Sequence, residues 1–324
     1  MNPQAPAPLP ARRTRLSLVL PARNERDGIA PMLAELARAL RGCDVDYEVV
    51  VVDDGSIDGT FERLRELARD HPQLRGLRLS RNYGKEAALL AGLTEATGDV
   101  VVTMDSDLQH PPAVVPEMLA RWRAGARVVH AVKRTPSDPH LLHRLASITF
   151  NRLSRMLSGI DMDGASDFTL LDRVVVDVVV QDLPERRRFY RGLTRWVGFP
   201  QDRVAFDVAP RPGGGSRWSF RGLIDLALTG LLSFSSLPLR LVTILGLLTL
   251  VFAVVVAAET LWSSFQGNSK SGFATIEITL LFVGSSIMIS LGVLGEYVGR
   301  IYDEVKRRPG YLVAERLGPH DAAR

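Results

Sequence analysis

Five times between Leu16 and Arg134 a short apolar run stops on a cluster of polar side chains. Leu16–Leu20 stops at Pro21-Ala22-Arg23-Asn24-Glu25, and Tyr47–Val52 stops at Asp53-Asp54-Gly55-Ser56. Leu77–Leu79 leads into Ser80-Arg81-Asn82-Tyr83-Gly84-Lys85. Val100–Met104 breaks at Asp105-Ser106-Asp107, and Val128–Val132 ends at Lys133-Arg134. Between these runs lie stretches with helical spacing: Ile29, Met32, Leu33, Leu36 and Leu40; then Phe61, Leu64 and Leu67; then an Ala/Leu-rich segment to Thr97; then Pro112–Ala124. Strand alternating with helix predicts an α/β domain, a mostly parallel sheet with helices on both faces. Ligands of such sheets bind outside the carboxyl ends of the strands. Each polar cluster alone is ordinary turn chemistry. All of them fall on one edge of one expected sheet, and that edge is where a site belongs.

The richest cluster follows Val100–Thr103: Asp105, Asp107, Gln109 and His110 before a Pro111-Pro112 stop. Two carboxylates two residues apart can share one divalent cation, and hard oxygen donors suit Mg²⁺ or Mn²⁺. The plainer alternative makes one Asp a helix cap and leaves the other in solvent. No Gly-x-Gly-x-x-Gly follows the first strand and no Gly-x-x-x-x-Gly-Lys-Ser/Thr occurs, which disfavours dinucleotide and P-loop chemistry. Phosphate would then be held by a metal and by Arg or Lys, as in enzymes that use nucleotide sugars. The net charge of +4 comes from scattered residues, mostly Arg, and no nucleic-acid motif appears, so no nucleic-acid partner is expected. The single cysteine, Cys43, excludes an internal disulfide and multi-cysteine metal sites.

PARNE, VVDDGSIDGT, SRNYGKEAAL and MDSDLQHPP, in this order and spacing, resemble the inverting family 2 glycosyltransferases. More narrowly they are similar to the polyprenyl-phosphate group, that of dolichol-phosphate mannose synthase and the bactoprenol glucosyltransferases. The likeness continues through SDFTLLDR, RRFYRGLTRWVGF and RPGGGSRWSF, from about Leu16 to Arg308. It implies a GT-A fold and transfer of one sugar from a nucleotide sugar, with a leaning to UDP-glucose, to a polyprenyl phosphate, with inversion. By motif, Pro21, Ala22, Arg23, Glu25, Asp54 and Lys85 would serve the donor. Asp105, Asp107 and Gln109 would lie at the metal and diphosphate, and Arg211 and Arg217 at donor phosphates. Arg217 stands where Lys is usual, and Lys133, assigned with Arg144 and Ser147 to the acceptor phosphate, stands where Arg is common. Asp167 matches the position of a proposed base, with orientation of acceptor or sugar as the alternative. Processive relatives carry Gln-x-x-Arg-Trp; here Gly192 takes the Gln position before Arg195-Trp196, which favours single-sugar transfer.

The C-terminal third differs in composition. Leu241–Ala258 and Ile278–Gly295 contain no charged residue, and each is long enough to cross a ~30 Å hydrocarbon core. The domain reading is a disordered tail (1–13), a GT-A domain (14–215), an interfacial helix (216–237), two transmembrane helices within 238–301 (about 239–262 and 275–299) and a cytoplasmic tail (302–324). Arg240 before the first span and Arg300, Lys306, Arg307 and Arg308 after the second put the catalytic domain and both termini in the cytoplasm, at the inner membrane. Leu141–Ser158 and Arg217–Leu237 mix apolar residues with Arg or Trp, as interfacial helices do; packing on the sheet is the alternative. A homo-oligomer stays open. Rival readings are a GDP-mannose-dependent mannose synthase, an enzyme that builds nucleotide sugars, and a non-catalytic membrane-anchored protein that binds nucleotide sugar or lipid.

Overall fold

The computed structural model describes residues 13–134, 166–183, 185–186, 188–207, 237–266 and 272–318. The chain divides into two units: one of residues 1–227 with 309–324, the other of residues 228–308.

In the first unit the expected alternation forms β1 (Thr14–Ala22), α1 (Ile29–Ala39), β2 (Val45–Asp53), α2 (Thr60–Leu67), β3 (Leu74–Leu79), α3 (Lys85–Glu95), β4 (Val100–Thr103), α4 (Val115–Arg123) and β5 (Val128–Lys133). β6 (Thr169–Asp172), α5 (Arg173–Asp177), α6 (Tyr190–Trp196) and β7 (Gln201–Phe206) follow. The eight strands lie in the order β7-β5-β6-β4-β1-β2-β3-β8, the last being β8 (Val313–Leu317). β1 pairs in parallel with both β2 and β4, so the connections diverge between β1 and β4. That divergence opens a crevice at their carboxyl ends.

Period-two alternation divides each apolar run between two cores. Leu16, Leu18, Leu20, Val49, Val51, Val100 and Val102 face α1 and α4 through Met32, Leu36, Met118 and Trp122. Val19, Val50, Val52 and Val101 face the other way, onto Ala88, Leu89 and Leu93 of α3 and Val175 and Val176 of α5. Continuous β-branched runs satisfy both faces at once, which is why these strands read as unbroken valine rather than as alternation.

The sheet is less uniformly parallel than the alternation suggests, because β6 runs antiparallel to β4 and β5 and β8 antiparallel to β3. α3 stops at Glu95, short of Thr97. The Glu48 carboxylate takes both the Thr97 amide (2.7 Å) and its hydroxyl (2.8 Å), and the Ser17 hydroxyl takes the Gly98 amide (2.8 Å). Residues 302–324, read as a tail, include a strand of the catalytic sheet. Ser80 donates its amide to the Leu312 carbonyl (2.9 Å), and Arg65 pairs with Glu315 (2.5 Å).

The second unit contains α7 (Leu237–Phe265) and α8 (Phe273–Val305). Phe252 meets Phe282 (ring centroids 4.9 Å apart) and Thr249 donates to Ser286 (3.3 Å), so the pair is an antiparallel hairpin. Leu241–Ser263 and Ile278–Val305 have mean hydropathies of 2.8 and 2.1 and are almost wholly unburied, long and apolar enough to cross a membrane. The expected disordered tail, both proposed interfacial stretches and Arg144, Ser147, Arg211 and Arg217 lie outside the described residues, except for Arg13 and Leu237.

Candidate active site

The chain leaves the sheet after β4, and the local bonding there is tight. Met104 donates its amide to the Val19 carbonyl of β1 (3.1 Å). The Ser106 hydroxyl then donates to the Pro21 carbonyl (3.1 Å), tying the aspartate turn to the end of β1. Asp107 accepts the Gln109 amide (3.1 Å) across a turn in which Leu108 takes a left-handed conformation, φ +62°. Packing of Leu108 against the core offsets the strain expected of a branched residue there.

β6 brings the third carboxylate. Because it runs antiparallel to β4, with Thr103 opposite Thr169, its start lies beside the end of β4. The Thr103 hydroxyl donates to the Asp167 carbonyl (2.6 Å). Lys85, the first residue of α3, bridges the two strands: its Nζ lies 2.5 Å from Asp105 Oδ1 and 2.5 Å from Asp167 Oδ2. Arg191 of α6 grips Asp167 with a fork, Nε to Oδ1 at 2.7 Å and Nη2 to Oδ2 at 3.0 Å.

These contacts set the charges. Burial alone would raise the pKa of Asp167, whose side chain is 5% exposed, but Lys85 and Arg191 outweigh it and hold the carboxyl well below the usual range. Burial likewise opposes ionisation of Asp105, and the Lys85 charge overcomes it. The Asp167 charge, against burial, keeps Arg191 firmly protonated. Glu86, next to Lys85 in α3, accepts the Tyr190 amide (2.9 Å); burial and then the Asp167 charge push its pKa up to about 7.

The remaining expected donor residues occupy the adjoining strand ends. Both Asp54 oxygens accept backbone amides, those of Tyr83 (2.7 Å) and Gly84 (2.9 Å), the two residues before Lys85. Asp54 therefore fixes the loop that delivers Lys85 rather than touching the Lys85 cluster. Gly55 makes this loop packing feasible: its φ is +65°, and a Cβ there would sit 2.6 Å from the Arg81 carbonyl carbon. The Ala22 carbonyl accepts the Asp54 amide (2.9 Å), Arg23 is exposed and acts on Asp54 through its charge, and Glu25 sits in the turn before α1. Lys133, at the end of β5, feels Arg191, Asp105, Lys85 and Asp167, yet makes no direct hydrogen bond or ion pair among the described residues. Arg191 and Glu86 escaped the sequence reading, and His110 was named in the Asp105–Asp107 cluster without a role. Arg191 stood inside a quoted motif, but nothing in the spacing paired it with Asp167.

Asp105 and Asp107, with the Gln109 side-chain carbonyl in the same turn, offer hard oxygen donors that fit Mg²⁺ or Mn²⁺. Among the described residues no cluster of three or more His, Cys, Asp or Glu forms a complete cage. Such ions commonly complete their shells with water and substrate phosphate.

A mostly parallel sheet with an antiparallel strand inserted beside β4 and an Asp-x-Asp turn at its carboxyl edge define a GT-A glycosyltransferase domain. Residues 17–179 match the model of glycosyl transferase family 2. The chain is 39% identical over 308 residues to an uncharacterized glycosyltransferase of Synechocystis sp., covering 94% of this chain and 96% of that one. It is 36% identical over 302 residues to the prophage bactoprenol glucosyl transferase homolog of Escherichia coli K12, covering 92% and 98%. Among solved structures, glucosyl-3-phosphoglycerate synthase from Mycobacterium tuberculosis, in complex with Mn²⁺, UDP-glucose and phosphoglyceric acid, aligns with a TM-score of 0.47 and 23% identity, over 67% of this chain and 77% of that one. The chain belongs to glycosyltransferase family 2, and it is an enzyme of that class.

Proposed function

We propose that this enzyme transfers one glucose from UDP-glucose to a polyprenyl phosphate at a membrane surface. The observation that carries the reading is the charge at the site. Lys85 and Arg191 pair with Asp105 and Asp167, whereas Lys133, which feels the same charges, has no direct partner among the described residues. An unpaired cation beside this cluster suits a phosphate-bearing substrate. The long apolar hairpin supplies an anchor beside a lipid acceptor, and the similarity to proteins named bactoprenol glucosyl transferase extends over both units.

In this reading a phosphate oxygen of the acceptor attacks the anomeric carbon, the bond from that carbon to the UDP oxygen breaks, and UDP leaves with the electron pair. Asp105 and Asp107, with Gln109, would hold Mg²⁺ or Mn²⁺, which would neutralise charge on the departing diphosphate. The acceptor oxygen is already ionised at neutral pH, so no strong base is required. Asp167, held ionised by two cations, orients Lys85 and Arg191. Lys133 receives the acceptor phosphate.

The test is transfer of radiolabel from UDP-glucose or GDP-mannose into an organic-soluble product by purified chain with Mn²⁺ and polyprenyl phosphate. Label from UDP-glucose, dependent on the lipid, is expected. Label from GDP-mannose alone would overturn the donor, and label without lipid phosphate would overturn the acceptor.

A further inference from the structure

We infer that His110 is a positioning residue for the metal-binding turn, holding the Asp105 backbone where its carboxylate can serve a cation. The inference rests on the proposed metal role of Asp105 and Asp107.

The turn from Asp105 to His110 has a bonding problem at its start. β4 ends at Thr103, and Met104 makes the last amide bond to β1, so the Asp105 amide has no strand partner. Even in a partly buried turn, an amide without an acceptor is costly. His110 supplies the acceptor: its Nδ1 lies 3.0 Å from the Asp105 nitrogen. Since Nδ1 accepts an N–H, the ring proton sits on Nε2. The Asp105 Oδ2 atom lies 3.8 Å from Nδ1, beyond hydrogen-bond range, so the contact that matters is to the backbone.

One side-chain bond thus closes a turn that contains Asp107, left-handed Leu108 and Gln109. The ring is itself fixed. It stacks on Phe168 with centroids 5.1 Å apart and planes at 23°, and it meets the edge of Phe206 at 5.7 Å. Phe168 follows Asp167 directly, so the ring that holds Asp105 is referenced to the strand that carries its Lys85-bridged partner. Partners that orient ligating groups typically change metal affinity by about 10- to 100-fold when removed.

A plain core histidine would show the same burial, and the two roles separate by experiment. His110→Phe keeps an aromatic ring between Phe168 and Phe206 but removes the acceptor. His110→Asn loses the ring but offers an oxygen near the place of Nδ1. Mn²⁺ binding to the detergent-solubilised full chain is measured by electron paramagnetic resonance, alongside thermal unfolding and the Mn²⁺ dependence of transfer. The expected result is a roughly 10-fold or larger loss of Mn²⁺ affinity in His110→Phe, with His110→Asn recovering most of it despite its poorer packing. Saturating Mn²⁺ should restore much of the rate of His110→Phe. Affinity equal to the unaltered chain in folded His110→Phe would overturn the proposal, as would His110→Asn binding no better than His110→Phe. If His110→Phe does not fold, His110→Asn decides alone: affinity within about threefold of the unaltered chain supports the role, and a loss of 10-fold or more overturns it. Failure of the unaltered chain to bind Mn²⁺ would instead remove the metal reading, and this inference with it.

Discussion

Asp105 and Asp167 share one lysine but differ in burial. Asp167 is almost fully buried and receives Lys85 and both arms of the Arg191 fork, whereas Asp105 shares Lys85 but is 26% exposed. In the proposed metal role Asp105 would offer Oδ2, the oxygen that Lys85 does not hold. Changing Asp107 or Asp105 to Asn should lower transfer by about 100-fold or more with little change in the unfolding temperature, checked by steady-state assay and thermal melts together. Arg191→Met should act the other way round, because Asp167 loses its fork while still buried. Removing one partner of such a pair costs about 3–5 kcal/mol, readable as a lower denaturant midpoint, and an unchanged midpoint would remove the structural role given to Arg191. Glu86 adds a pH signature. Its ordinary pKa of 4.5 is raised to about 7 in the folded chain, so across that interval the unfolded chain releases a proton that the folded chain retains. Stability contributed by this group therefore falls as pH rises from about 4.5 to 7 and levels off above. Glu86→Gln should flatten that part of the unfolding-temperature profile, and an unaltered slope would count against the assignment.

At the scale of elements, the strands with long apolar runs and the helices with clear periodicity were legible, and so were the polar strand ends that form the site. The boundaries moved where a distant side chain intervened, as when Glu48 takes the Thr97 amide and ends α3. β6 was not read as a strand, since Thr169–Asp172 is short and its partners β4 and β5 are remote or antiparallel neighbours. The ties of Arg191 to Asp167 and of Glu86 to the Tyr190 amide depend on that strand's direction, and no periodicity reports direction. β8 was hidden for a related reason: VAERL looks like an ordinary tail until β3, more than two hundred residues earlier, offers an open edge. Tyr311 and Val313 pack on one core and Leu317 on the other, so β8 covers an edge that would otherwise invite pairing with another chain. Truncation after Gly310 should lower the unfolding temperature by several degrees and increase aggregation on size-exclusion chromatography. An unaffected melt and elution profile would make β8 a passive appendage.

The whole molecule joins a charged catalytic sheet to an apolar hairpin, and the basic flanks of that hairpin place the sheet on the cytoplasmic side in our proposal. In a Cys43→Ser background, a cysteine at Gln266 should react with an impermeant thiol reagent in intact cells. A cysteine at Ile57, which is 93% exposed, should react only after permeabilisation. The opposite pattern would separate the active site from cytoplasmic nucleotide sugars. In the proposed reaction one glucose passes to one lipid phosphate. Mass spectrometry of the lipid extracted after reaction of the reconstituted chain with UDP-glucose, Mn²⁺ and polyprenyl phosphate reads this directly. The account requires a polyprenyl phosphate heavier by a single hexose, absent from a parallel reaction with Asp107→Asn. Free glucose as the sole product, or a ladder of lipids bearing several hexoses, would contradict it.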